Sequence, residues 1–320
     1  MSYPTLRLHP RKEESVLRFH PWIFSGAIAS FSAPVEDGDL VSVVDSKGRP
    51  LGTGHFGGGS IAVRLLSFDA EEVIDRTFYK RRLEAALRLR LSCDLVRPVG
   101  SSDSPNTTYR LVHGEGDSLP GLIIDIYDRT AVVQAHSLGM HQVRQTIAEV
   151  LWEVFAEADD PVLPLEGIYY KSETTLPTRD MRELASDGFL IGHTEAAPIY
   201  ENGVRFTPDW LKGQKTGFFI DQRDNRALVA HYAKGRTVLN AFCYTGGFSI
   251  YALHAGAKRV DSLDSSAKAM YLTEQHVALN FGVDCPRHHS VTEDAFDYLE
   301  RMPEGEYDLI ILDPPAFAKH

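Results

Sequence analysis

The residues best placed to do chemistry lie in the last third of the chain, at the ends of runs that read as strands. Asn240-Ala-Phe-Cys-Tyr-Thr-Gly-Gly-Phe248 follows the first run, and its paired glycines let the backbone pass close to a ligand where a helix begins. Asp264 follows the second, with Ser265 expected to cap the next helix; Asp294 and Ala295 follow the third, and Asp313-Pro-Pro-Ala-Phe317 the fourth. A carboxylate at Asp264 can accept both hydrogen bonds of a ribose diol. One at Asp294 can accept from an adenine amino group while the adjacent N–H meets a ring nitrogen. The two prolines after Asp313 fix a rigid turn. Singly, each acid is as readily a plain helix cap. Four such features in register on successive strands make a binding row.

The elements that must hold this row alternate: strand 237–242, helix 248–255, strand 259–263, helix 266–280, a strand near His289, helix 295–301 and strand 308–312. Helices of that length between strands demand parallel βαβ units, whose ligands sit at the carboxyl ends of the strands. The glycine spacing is not the Gly-x-Gly-x-x-Gly cradle of a dinucleotide pyrophosphate, which favours S-adenosylmethionine (SAM) over NAD. Upstream, Asn202-Gly203 marks a hairpin, and Asp221 is expected to cap a helix reaching about residue 233, with Gly235 as its stop.

The first two thirds read differently. Short β-like runs at 41–44, 52–56 and 61–66, broken by turns, predict a small N-terminal β-barrel. Within it lies Arg18-Phe-His-Pro-Trp-Ile-Phe24, where Arg18 and His20 suit RNA contact and at least one of Trp22 and Phe24 suits the core. Residues 71–91 switch to helical spacing. Across 76–97, seven basic residues (Arg76, Lys80, Arg81, Arg82, Arg88, Arg90, Arg97) face only Glu84 and Asp94. Arg81 and Arg82 are the phosphate-binding candidates of that stretch, against the plainer reading of a solvated helix face. Strands within 109–127, at 130–136 and at 167–171, with an amphipathic helix at 141–158, predict a central α+β unit. There His113, Glu115 and Asp117, separated by glycines, read as a turn or binding loop. The expected division is 1–70, 71–200 and 201–320.

Composition sets the limits. Charged residues are 24% and hydrophobic ones 43%, and the formal net charge is −11, so any nucleic-acid contact must come from local basic patches. Three cysteines (Cys93, Cys243, Cys285) and scattered histidines offer neither a disulfide framework nor a zinc-ligand spacing. No apolar run is long enough for a membrane span, and a cytoplasmic protein is expected.

Lys215-Thr-Gly-Phe-Phe-Ile-Asp-Gln-Arg223, Asn240 to Phe248 and Asp313-Pro-Pro-Ala-Phe-Ala-Lys319, with Arg18 to Phe24 and Leu111 to Asp125, resemble the ribosomal RNA large-subunit methyltransferase I family over essentially the whole chain. The resemblance implies an α/β protein with a PUA-like RNA-binding barrel, a central α+β domain and a Rossmann-like class I methyltransferase domain. It also implies SAM as cofactor, ribosomal RNA as partner, and a homodimer. The implied cofactor residues are Gln222, Arg223, Asn240, Phe242, Tyr244, Gly246, Asp264, Ser265, Asp294, Ala295 and Asp313, and Asp313 would also act catalytically beside the base. Such enzymes are understood to methylate carbon 5 of a cytosine after a cysteine thiolate adds to carbon 6, the base being unpaired or flipped. The family's nucleophile lies after the Asp-Pro-Pro strand. The sequence ends at His320 with four strands countable, so a fragment lacking the nucleophile is expected, with Cys243 suited to ligand contact rather than attack. Two other readings remain: N-methylation of a base amine, which Ala316 before Phe317 disfavours, and a non-catalytic RNA-binding or ribosome-assembly module.

Overall fold

The structure is a computed structural model that describes residues 3–101, 103–159, 161–177 and 186–315. The chain divides into two compact units: residues 1–196 with 209–218, and residues 197–208 with 219–320. The segment 209–218, which falls inside the expected third domain, therefore packs with the first unit.

The first unit opens with β1 (Thr5–Leu8), β2 (Trp22–Phe24), β3 (Ile28–Phe31), β4 (Leu40–Val44), β5 (Pro50–Phe56) and β6 (Ile61–Ser67). They form one sheet in the order β2-β6-β5-β4-β1-β3. Leu6, Ile23, Val41, Val43, Val63 and Leu65 share a single apolar cluster. Strands from opposite edges can meet in one cluster only if the sheet curls, as the barrel reading requires. Strand alternation corrects one expectation about its core. Ile23 is the buried residue of β2, Trp22 is half-buried, and Phe24 is 53% exposed.

The helix Arg76–Ser92 starts later than the periodicity suggested, because Asp75 caps it by accepting from the Phe78 N–H at 2.9 Å. It packs with the helix Arg144–Glu157 on a sheet ordered β11-β10-β9-β8-β7. These strands are β7 (Thr108–His113), β8 (Leu122–Tyr127), β9 (Thr130–Ala135), β10 (Gly167–Tyr170) and β11 (Gly188–Gly192). The single helix expected over 141–158 is two, Leu138–Gln142 and Arg144–Glu157, joined at Val143, whose ψ of 7° leaves the helical range. Segment 209–218 is held by three buried contacts. Trp210 stacks on Tyr127, the Thr216 hydroxyl donates to Asp125, and Lys171 Nζ donates to the carbonyls of Trp210 and Gly213 at 2.6 and 2.8 Å. Burial lowers the Lys171 pKa.

The second unit begins with the hairpin β12 (Ile199–Glu201) and β13 (Val204–Phe206), turned by Asn202 and Gly203, both at positive φ as a type I′ turn needs. Four parallel strands follow: β14 (Thr237–Ala241), β15 (Arg259–Asp264), β16 (His288–Thr292) and β17 (Leu309–Leu312). Their order is β16-β15-β14-β17. The chain thus winds outward through β14, β15 and β16, then reverses to lay β17 on the other side of β14. That reversal opens a crevice at the carboxyl ends of β14 and β17, the usual ligand position of such sheets.

Candidate active site

Register brings the four strand ends level. Ala241 pairs with both Leu263 and Leu312, and Asp264 pairs with Thr292. The residues just beyond are Phe242, Asp264, Glu293 with Asp294, and Asp313, so the acids that sequence spacing singled out end on one rim.

The loop after β14 is tightly bent. Phe242, Tyr244 and Gly246 all have positive φ, at 58°, 48° and 76°. Two of these are aromatic residues, which adopt that region at a cost of about 1–2 kcal/mol each. The surroundings hold them there. Asp264 accepts from the Tyr244 N–H through Oδ2 and from the Ser266 N–H through Oδ1, both at 2.9 Å. Thr273 Oγ1 donates to the Tyr244 carbonyl, the Phe242 ring meets Phe296 edge-on, and the Tyr244 ring meets Phe219. Asp264 is thus the brace of the loop as well as a strand-end acid. Four lone-pair positions on its carboxylate leave room for a ligand hydroxyl beyond the two amides.

Asp294 is exposed and caps the helix Ala295–Arg301, accepting from the Phe296 and Asp297 N–H groups through Oδ1 alone. Asp313 is exposed beyond β17. Ala316, Phe317 and Lys319 of its motif lie outside the described residues. The rim is therefore lined by acceptors. A ribose diol, an ammonium and an exocyclic amine, all donors, fit it, and a sulfonium cation is favoured beside carboxylates. These are the groups of SAM.

Other expected residues are placed elsewhere. Asn240 is fully buried; its Nδ2 donates to Ser249 Oγ, which continues through Ser262 to His288, while its Oδ1 meets no partner among the described residues. Its side chain ties the following helix to the sheet instead of facing the rim. Arg223 is buried with its Nε 3.5 Å from Glu201 Oε2, beside Arg226, which grips both oxygens of that carboxylate. Gln222 accepts from Asn225 Nδ2, and Ala295 is buried. Two cap expectations are corrected. Ser266, not Ser265, caps the helix Ala267–Phe281, because Ser266 Oγ is the oxygen that accepts from the Ala269 N–H; Ser265 is exposed. The turn Ile220–Gln222 runs directly into the helix Arg223–Ala233, so Asp221 falls inside that turn and Gln222 takes the cap position. Cys243 is buried with its Sγ 3.5 Å from Met270 Sδ, and burial, with Asp264 nearby, pushes its thiol up to about 12. It packs against Met270 and stays protonated at neutral pH.

In the first unit, Arg18 and His20 are exposed, and His20 stands edge-on to Trp22. The basic helix is not the free cationic face its composition suggested. Arg76 and Lys80 pair with Glu153, Arg81 and Arg82 share Glu72, Arg88 pairs with Glu84, Arg90 with Asp117 and Arg97 with Asp94. The partners Glu72, Asp117 and Glu153 lie outside the helix, where no count along it could find them. Asp117 also accepts from the His113 N–H, and Glu115 from the Trp22 indole, so the 113–117 loop is a braced turn.

Comparison with known proteins agrees with both halves. A PUA-like domain model matches residues 6–68, and an S-adenosylmethionine-dependent methyltransferase model matches residues 178–320. The chain is 39% identical over 316 residues to the ribosomal RNA large subunit methyltransferase I of Alteromonas mediterranea, covering 97% of this chain and 75% of that one. This chain belongs to the ribosomal RNA large subunit methyltransferase I family. The homologue from Shewanella denitrificans is 40% identical over 98% of this chain and 76% of its own. Among solved structures, a chain assigned to the SAM-dependent methyltransferases of Streptococcus mutans superposes with TM-score 0.78 at 25% identity, covering 98% of this chain and 77% of that one. A methyltransferase complexed with SAH superposes at 0.80, also at 25% identity, over 100% of this chain and 77% of that one. As a member of this family the chain is a SAM-dependent methyltransferase, and the acid-lined rim fits that cofactor. No described helix is long and apolar enough to cross a membrane.

Proposed function

We propose that the protein methylates carbon 5 of a cytosine in large-subunit ribosomal RNA, with SAM supplying an electrophilic methyl group. The observation that carries the reading is the level row Asp264, Asp294 and Asp313 at the carboxyl edge of the reversed sheet, in a chain whose relatives are named ribosomal RNA large subunit methyltransferases. Asp264 would accept from the ribose diol while bracing Tyr244, and Asp294 would accept from the adenine amine through its Oδ2. Phe242 and Tyr244 would flank the nucleoside, with Gly246 carrying the backbone past it. Asp313 would orient the target base. Arg18 and His20 are the RNA-facing candidates of the barrel, and a cytoplasmic homodimer completes the reading.

The three cysteines bear on the chemistry. Cys243 is buried and protonated, Cys285 precedes β16 at the amino-terminal edge of the sheet, and Cys93 belongs to the first unit. None is presented at the rim. The thiolate step is therefore assigned to none of them. The protein should bind SAM at micromolar concentration by calorimetry and lose that binding on Asp264→Ala, and the methylated nucleoside should be 5-methylcytosine. Ribosomal RNA incubated with tritiated SAM and digested to nucleosides for mass spectrometry checks this. An N-methylated base would replace the reading by exocyclic-amine chemistry, which needs no thiolate. SAM binding untouched by Asp264→Ala would overturn the site.

A further inference from the structure

The first unit contains a pocket of about 430 Å³ whose polar lining is Arg64, Arg110, Glu115, Gln134, His136 and Lys215. Three obligate cations line it, one of them, Arg110, already paired with Asp125 behind the wall, in a chain of net charge −11. Along the helix Arg76–Ser92, by contrast, every arginine is paired with a carboxylate.

Arg64 is in no ion pair among the described residues. It stands on β6, is partly buried, and donates no hydrogen bond to any described residue. Its nearest opposite charge, Glu115, is already taken by the Trp22 indole at 2.7 Å. A guanidinium removed from water without an acceptor is costly, and burial lowers its pKa. Arg110 is aimed rather than mobile: Asp125 holds its Nε and Nη2 at 2.8 and 2.9 Å. His136 Nε2 is buried and meets no partner among the described residues, and burial together with Arg110 and Arg64 favours the neutral ring. Gln134 Nε2 donates to the Lys215 carbonyl, fixing the backbone from which that lysine extends. One wall is kept thin by Gly121, where a Cβ would come within 2.8 Å of Ser137 Oγ, and Leu122 and Ile123 supply an apolar surface.

We propose that this pocket binds one nucleotide unit of a single-stranded RNA, its phosphodiester held by Arg64, Arg110 and Lys215 and its base lying on Leu122 and Ile123 beside His136. The volume is in the range of small-ligand sites and exceeds the need of a bare phosphate. The inference rests on the RNA-directed reading above and moves the principal phosphate contact from the paired helix arginines to Arg64.

The test is fluorescence anisotropy with 5′-fluorescein-labelled decauridylate across a salt series, on wild type, Arg64→Gln, Arg64→Lys and the surface control Arg88→Gln. Expected are a roughly tenfold weaker Kd for Arg64→Gln and a salt slope smaller by about 0.7, one single-strand phosphate contact. Arg64→Lys should keep the slope and recover part of the affinity, and Arg88→Gln should match wild type. Uridine monophosphate should compete at lower concentration than inorganic phosphate. SAM binding by calorimetry on every variant reports the second unit independently. Decauridylate binding unaltered by Arg64→Gln overturns the pocket alone. No decauridylate binding by wild type that still binds SAM overturns the pocket and the RNA-directed reading together. Inorganic phosphate competing as well as the nucleotide shows a bare anion site and also overturns the proposal.

Discussion

Gly246→Ala tests the geometry of the cofactor loop with a single methyl group. Two costs add. Gly246 has φ of 76°, where an L-residue with a Cβ loses about 1 kcal/mol relative to glycine. A Cβ there would also lie 2.5 Å from Thr273 Cγ2 and 3.1 Å from its Oγ1. Thr273 cannot simply rotate away, because its Oγ1 donates to the carbonyls of Tyr244 and Ala269 at 3.0 and 3.1 Å, and relieving such an overlap costs about 1–3 kcal/mol. The sum, roughly 2–4 kcal/mol, should lower the melting temperature of the second unit by about 5–15 °C and weaken SAM binding, since the displaced carbonyl belongs to Tyr244. Thr273→Ser removes Cγ2 and keeps both hydrogen bonds. In the Gly246→Ala/Thr273→Ser double variant the steric part should return and the φ part should not, a coupling of about 1–2 kcal/mol. Calorimetric unfolding and SAM titration on the four proteins measure it. Additive effects of the two substitutions, or Gly246→Ala with wild-type melting and SAM affinity, would refute the reasoning.

Further expectations concern buried charge and pH. Glu201→Gln leaves Arg226 and Arg223 without their buried carboxylate and sets an amide NH2 where Oε2 accepted from Arg226 Nη2; the second unit should lose about 3–5 kcal/mol in denaturant titration. Iodoacetamide at pH 7.5 should label exposed Cys93 and spare Cys243, whose thiol is pushed up to about 12; mass mapping showing Cys243 labelled in the native state would contradict its burial. His55 and His288 are each held down to about 4 by burial. Their unfolded forms take up a proton below about 6.5 and their folded forms do not, so the stability they support is present above pH 6.5 and lost as pH falls towards 4. A shift of that size is worth about 3 kcal/mol per group. His55→Gln should flatten the pH dependence of the first unit's melting, and an unchanged slope would count against the assignment.

Much of the site was legible in the sequence because its signals are local. Strand runs expected at 237–242, 259–263, near His289 and at 308–312, separated by helix-length segments, put the acids at or just beyond strand ends by counting alone, and Asn202-Gly203 declared its hairpin through the φ > 0 its turn demands. The rest depended on residues distant in the chain. Which of two neighbouring serines caps a helix turns on a fraction of a turn of backbone, so Ser266 displaced Ser265. Asn240 lies at the right strand end but faces the helix behind it, and the choice of face is made by Ser249 and Ser262. Arg81 and Arg82 looked available until Glu72 was brought beside them, and Arg64 drew no notice because its sequence neighbours are apolar. The sequence by itself determined the parallel βαβ units, the acid row and the family. Tertiary structure alone decided the β16-β15-β14-β17 order that opens the crevice, the packing of 209–218 with the first unit, and which cations were left unpaired, because strand order and ion pairing are relations between segments that local periodicity does not encode.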